Sequence, residues 1–163
     1  MATRPGLLAG ALSAGALLAL AACDRSSHLT ASWTGADTGA AELPLWATSC
    51  VPNQLRLTAM SGDTGVLILL RQSEEGPGIG QYPVLSPADF QRTRPAATIT
   101  ARWLDSTTVS GYRSARGTVS LSSAPRPKGS FSAVLQRQGD LREVTLEGEF
   151  RAAAITACPD SAS

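Results

Sequence analysis

The sequence predicts an all-β domain, an antiparallel β-sandwich or β-barrel of about eight strands, set behind an N-terminal leader. Three observations lead there. From His28 onward apolar residues alternate with polar ones at a period of two, in short runs bounded by Gly, Pro, Ser and Asp. No part of that region carries the period of about 3.6 residues that marks a long amphipathic helix. The composition, 43% hydrophobic against 17% charged over 163 residues, supplies enough apolar side chain for one packed core.

The elements follow in order. Segments near Leu29 to Trp33 and Leu43 to Thr48 are irregular but strand-like. Leu55, Leu57 and Ala59 alternate with Arg56 and Thr58 up to a turn at Ser61-Gly62-Asp63-Thr64-Gly65. Val66 to Leu70 is then a continuous apolar run, short enough for a strand buried on both faces, and the two segments make a hairpin. Gly76-Pro77-Gly78-Ile79-Gly80 leads into Gln81 to Leu85, which reads as a strand. That context refuses a phosphate-binding loop, which needs a helix to follow. One short helix is expected at Ser86-Pro87-Ala88-Asp89-Phe90, with Ser86 as N-cap and Pro87 at the first helical position. Ile99, Ala101 and Trp103 form the next alternating run, and Val109 to Arg113 a further segment. Val119 and Leu121, then Phe131, Ala133 and Leu135, then Val144, Leu146, Gly148 and Phe150 describe a meander with one face in the core. The opposite face of that last strand carries Glu143, Thr145, Glu147 and Glu149, expected to face Arg137 or Lys128 on the neighbouring strand.

The first 22 residues have a different character. Arg4 supplies one positive charge, and Leu7 to Ala22 is an uncharged Leu-Ala-Gly stretch with only Ser13 as a polar interruption. That is the order of a secretory signal, and the stretch is shorter than the roughly 20 residues of a membrane-spanning helix. The segment Leu20-Ala21-Ala22-Cys23 resembles the lipobox of bacterial lipoproteins at all four positions. The resemblance implies cleavage before Cys23, lipid such as palmitate on its thiol, and attachment to a membrane of the cell envelope. Asp24, directly after the cysteine, favours the inner membrane in enterobacterial lipoproteins, and the choice between inner and outer membrane stays open. Ala19-Leu20-Ala21 would also suit ordinary signal cleavage with release of a soluble protein. The expected organisation is thus a signal peptide at 1–22, a lipid-anchored tether at 23–27 and a β-rich domain at 28–163.

Lipid on Cys23 leaves Cys50 and Cys158, an even pair in an oxidising compartment, and a disulfide between them is expected. The alternative is two buried thiols. Loss of Arg4 with the leader leaves 13 basic and 13 acidic residues, so no net field draws the domain to nucleic acid or to an anionic membrane.

Catalytic equipment is sparse. His28 is the only histidine, and it stands on a tether reaching at most about 18 Å from Cys23. A Ser-His-Asp triad or a histidine-rich zinc site has little to draw on. The Ser-x-x-Lys pattern fails because Pro125 stands three residues before Lys128. Glu147 and Glu149 share a strand face about 6–7 Å apart, a separation found between glycosidase carboxylates but equally that of a solvated stripe. Glu74 and Glu75 lack calcium-loop spacing. Trp33, Trp46, Trp103, Tyr82 and Tyr112 are expected mainly in the core, with a ligand pocket as the alternative. No catalytic, cofactor-binding or metal-binding residue is assigned.

The mature region resembles, in general organisation, small β-rich lipoproteins of bacterial envelopes, a group to which no one activity attaches. The expectation is a membrane-anchored binding or structural module without catalysis. A lipocalin-like carrier of an apolar ligand is the alternative. A carboxylate-dependent envelope hydrolase is a remote one.

Overall fold

A computed structural model describes residues 26–72, 78–140 and 142–158. The leader and Cys23 lie outside the described residues, as do Glu74 and Glu75. The chain is almost entirely strand: β1 (His28–Gly35), β2 (Gly39–Ser49), β3 (Gln54–Ser61), β4 (Thr64–Arg71), β5 (Gly80–Val84), α1 (Pro87–Phe90), β6 (Ala96–Asp105), β7 (Thr108–Ser123), β8 (Lys128–Arg137), β9 (Glu143–Arg151) and β10 (Ile155–Ala157).

Ten strands form one sheet, where about eight were expected; β5 falls on the expected Gln81–Leu85 segment, and the short β10 is the strand that was not foreseen. Neighbours in sequence pair antiparallel from β1 through β4, then β4 with β6, β6 with β7, and so on to β9. Strand β9 pairs with β1, Leu29 opposite Phe150, so the run of pairings returns to its start. Two supplements complete it. β6 and β7 pair only from Thr100–Arg113 to Asp105–Thr108, and β5 enters where they diverge, antiparallel to β7. Ser114 fastens that fork: its hydroxyl donates to the Leu85 carbonyl at 2.6 Å and accepts from the Ile99 amide at 3.2 Å. β10 runs parallel to β2 beyond the point where β1 begins, Ile155 opposite Ala47.

All strand ends fall into two sets. At the near end lie the starts of β1, β3, β6 and β8 and the ends of β2, β4, β7 and β9; at the far end lie their opposites. The disulfide joining Cys50 to Cys158, Cα atoms 4.9 Å apart, is at the near end, closing the pair expected from the sequence.

The period of two settles which side chains face inward. Leu57, Ile68, Leu70, Ile99, Leu135 and Leu146 are fully buried in one continuous cluster. Inward glycines lie where strands press closest. A side chain on Gly148 would place its Cβ 2.0 Å from the Thr30 carbonyl oxygen and 2.6 Å from the Phe131 ring, its cross-strand partner. Gly129 is its counterpart under the ring of Phe150. Aromatic rings thus occupy the volume that the glycines leave.

Several expectations change. The apolar run Val66–Leu70 is not covered on both faces: Val66, Ile68 and Leu70 point inward, while Leu67 and Leu69 are only half-buried on the outer face. Val109–Arg113 and Val119–Leu121 are not separate strands but two parts of β7. Its register shifts between Ser114 and Arg116, and this bulge moves the inward set from even to odd positions. The acidic face of β9 does not face Arg137 or Lys128: Glu147 stands opposite Ser132 and Glu149 opposite Ser130. Arg137 instead meets Asp105 at 3.6 Å and Asp140 at 4.0 Å, and Lys128 stands opposite Arg151. The helix forms where its capping residues place it, with the Ser86 hydroxyl accepting from the Asp89 amide.

Candidate functional site

Three places combine chemistry with shape. The first is the inward side at the far end. Trp33, Trp103 and Tyr112 stack there, ring centroids 4.4 Å and 4.1 Å apart and planes 17° from parallel in both pairs. The indole N–H of Trp103 donates to the Asp37 carboxylate in the β1–β2 connection. Gly39 lies directly beneath Trp33, so the ring occupies the place of a side chain there. The Trp33 indole nitrogen and the Ser110 hydroxyl are buried without a hydrogen-bond partner. The sequence-based expectation that the aromatics serve the core holds for Trp33, Trp103, Tyr82 and Tyr112; Trp46 departs from it, 55% exposed on the outer face of β2.

Burial raises the pKa of Tyr112 above its ordinary value; the Asp37 and Asp105 carboxylates add to the rise, and Arg137 and Arg142 oppose it. Burial likewise raises Tyr82, whose hydroxyl donates to the Gly78 carbonyl. These are the only tyrosines in the chain. In an unfolded chain both ionise near pH 10, while the folded protein keeps their protons. Above that pH the unfolded state binds fewer protons, so stability is complete below about 10 and falls as pH rises. Spectrophotometric titration of the native protein is expected to show phenolate appearing at higher pH than in the unfolded chain. Ionisation of either tyrosine at the ordinary value would contradict the packing described for it.

The second place is a groove of about 520 Å³ on the outer wall, across β3, β4, β6 and β7. One cross-strand row forms its floor: Met60, Gly65, Arg102 and Gly111 stand opposite one another on successive strands. Two of the four lack side chains, and this makes the depression. Arg102 extends over Gly65 to reach the Met60 sulfur at 2.9 Å. Leu67 and Val109 contribute apolar walls, and Arg56 and Gln138 polar ones. Among the described residues, Arg56 and Arg102 have no carboxylate within ion-pair distance. The alternation of the sequence marks these positions as outward. It gives no sign that they fall into one row, because that depends on the register of four strands.

The third is a smaller groove of about 360 Å³ at the near end of β8, β9 and β1. Lys128, Arg151 and His28 stand opposite one another there on adjacent strands, an outward row of basic side chains. His28 Nδ1 lies 3.3 Å from the Ser26 hydroxyl.

The remaining sequence candidates do not assemble into a reactive site. Glu147 accepts a hydrogen bond from Ser132 at 3.0 Å, and the open hollow of about 630 Å³ that it shares with Glu149 is otherwise lined by Phe131 and by Thr, Ser, Ala and Gly. Among the described residues no three His, Cys, Asp or Glu side chains gather as a metal site would require. No family model matches the chain, and neither a curated protein nor a solved structure matches it.

Proposed function

We propose that the chain is a lipid-anchored lipoprotein of the bacterial envelope whose domain is a closed up-and-down β-barrel of eight principal strands, serving as a non-catalytic binding module. One observation carries the binding reading: a groove of about 520 Å³ with apolar walls lies outside the wall, at Gly65 and Gly111, while large side chains fill the inside. The return of the pairings from β9 to β1 favours a barrel over a sandwich. A carrier of the lipocalin kind needs an emptied interior. Here Leu57, Ile68, Leu135 and Trp103 occupy that space, each at most 2% exposed. The groove, with apolar walls and arginines that meet no carboxylate among the described residues, suits an extended segment that is part apolar and part acidic. The anchor rests on Leu20-Ala21-Ala22-Cys23 and leaves the barrel only a few residues from the bilayer.

The groove test uses Gly111→Leu. The new side chain enters the hollow and meets only the end of the flexible Gln138 side chain, at 3.2 Å. Native mass spectrometry of protein taken from its own envelope is expected to show a bound component with wild type and none with Gly111→Leu, at nearly unchanged thermal stability. A component that stays bound to the variant would reject the groove. For the anchor, labelled palmitate is expected in the wild-type chain and absent from Cys23→Ser.

A further inference from the structure

We propose that the near end of the domain is itself a membrane-docking surface, seating the barrel upright on an anionic phospholipid bilayer with its far end directed away. The proposal deepens the anchored reading and rests on it for the position of the lipid.

The charge balance of the chain hides a basic excess at one end of the strands. At the near end, Arg56 and Arg71 stand on β3 and β4, and Arg92 and Arg94 follow α1. Arg126, Lys128 and Arg151 add three more cations where β7, β8 and β9 meet. The acids described at that end are Glu42, Asp89 and Glu149, with Glu42 and Glu149 both opposite Thr30. At the far end Asp37, Asp63, Asp105, Asp140 and Glu143 are matched by Arg102, Arg113, Arg137 and Arg142, with Arg116 ion-paired to Glu143 at 3.4 Å, so that end is close to neutral. The undescribed stretches hold Asp24, Glu74, Glu75 and Asp160 against Arg25, too few to cancel the near-end excess even if all were added to it. Within the near end, Lys128, Arg151 and His28 line up across three strands. Like charges set opposite one another on a sheet cost stability, and an anion placed over them removes that cost.

Exposed apolar side chains occur at both ends, Met60, Leu104 and Val109 at the far one, but the exposed tryptophan is at the near end. Trp46, Val51 and Ile79 are all more than half exposed there. Trp46 is the telling one. Its neighbour Leu45 donates its amide to the carbonyl of Ser27 at 3.1 Å, and the Ser27 hydroxyl accepts from the Ala153 amide at 2.9 Å. Ser27 is therefore fixed against β2 and the end of β9, and it lies four residues from Cys23, a reach of about 14 Å. A tryptophan so close to acyl chains is at the depth where indole rings settle in the bilayer interface. Basic residues beside a lipid anchor add electrostatic attraction to anionic headgroups, and each contributes on the order of fivefold in partition.

The test uses the processed protein purified from its envelope and returned to vesicles of phosphatidylcholine, with and without phosphatidylglycerol. Trp33 and Trp103 are buried, so bromine-labelled acyl chains read Trp46 selectively, and Trp46→Phe confirms the source. Emission is expected to shift to the blue and be quenched in phosphatidylglycerol vesicles, and to recover in high salt. Replacing Arg126, Lys128 and Arg151 together by Gln is expected to lower partition of the unacylated chain by on the order of a hundredfold. Acylated protein whose Trp46 stays accessible to iodide and untouched by bromolipid overturns the docking while leaving the anchor intact. Protein without acyl chains on Cys23 overturns the anchor. In that case docking is read by flotation of the chain itself, with anionic vesicles floating it or docking failing as well.

Discussion

Trp103→Ala is expected to remove about 4 kcal/mol of stability, read as a lower urea midpoint with little change in slope. The side chain is 2% exposed and stacks on Trp33 and Tyr112. Truncation leaves a cavity between two aromatic rings that the strands cannot close, because Gly39 already brings the wall hard against Trp33. It also strips Asp37 of the indole N–H that it accepts. Trp103→Phe separates the two losses: it restores most of the ring and omits the N–H, so a cost of about 1–2 kcal/mol is expected. A domain of this size holds about 5–15 kcal/mol in all, so the alanine variant should be partly unfolded at elevated temperature. A cost below about 1 kcal/mol for Trp103→Ala would show that the stack does not bear on the core.

Replacing Cys50 and Cys158 together by alanine is expected to cost of similar order. The bond spans a sequence separation of 108, and loop-closure entropy assigns a link of that length roughly 4–5 kcal/mol. Both cysteines are exposed, so the alanines disturb no packing. The loss should therefore appear mainly as a more favourable unfolded state. The unfolding rate should rise little, and the refolding rate should carry much of the change if the bond narrows the search before the transition state. Reduction of the wild-type protein should reproduce the double variant. A reduced protein as stable as the oxidised one would remove the bond from any account of stability.

Much of this wall was legible in the sequence. The β3–β4 hairpin, the β8–β9 pair and the capped turn of helix α1 each announce themselves through local chemistry: alternation, a Gly-Asp turn, and a Ser-Pro start. β7 was not legible as one strand, because the bulge after Ser114 changes the phase of alternation partway along. Val119 and Leu121 then look unrelated to Tyr112. The outward position of Leu67 and Leu69 was hidden for another reason: an apolar run carries no phase at all. The groove and the charged end were beyond sequence reading on different grounds. Alternation tells whether a side chain points in or out, but not which outward residues become neighbours, nor at which end they gather. Met60, Gly65, Arg102 and Gly111 spread over 52 positions and still form one row. Cations scattered from Arg56 to Arg151 reach one end only because successive strands reverse direction.

Ser27, held against Leu45 on one side and Ala153 on the other, brings the opening of the domain beside its close. The order of staves around the wall is therefore independent of where the polypeptide starts. A gene could be cut open at the Gly62–Asp63 turn and its old extremities spliced together, and the same neighbours would meet. Sequence order decides which strand comes first; the returning run of pairings is indifferent to that choice.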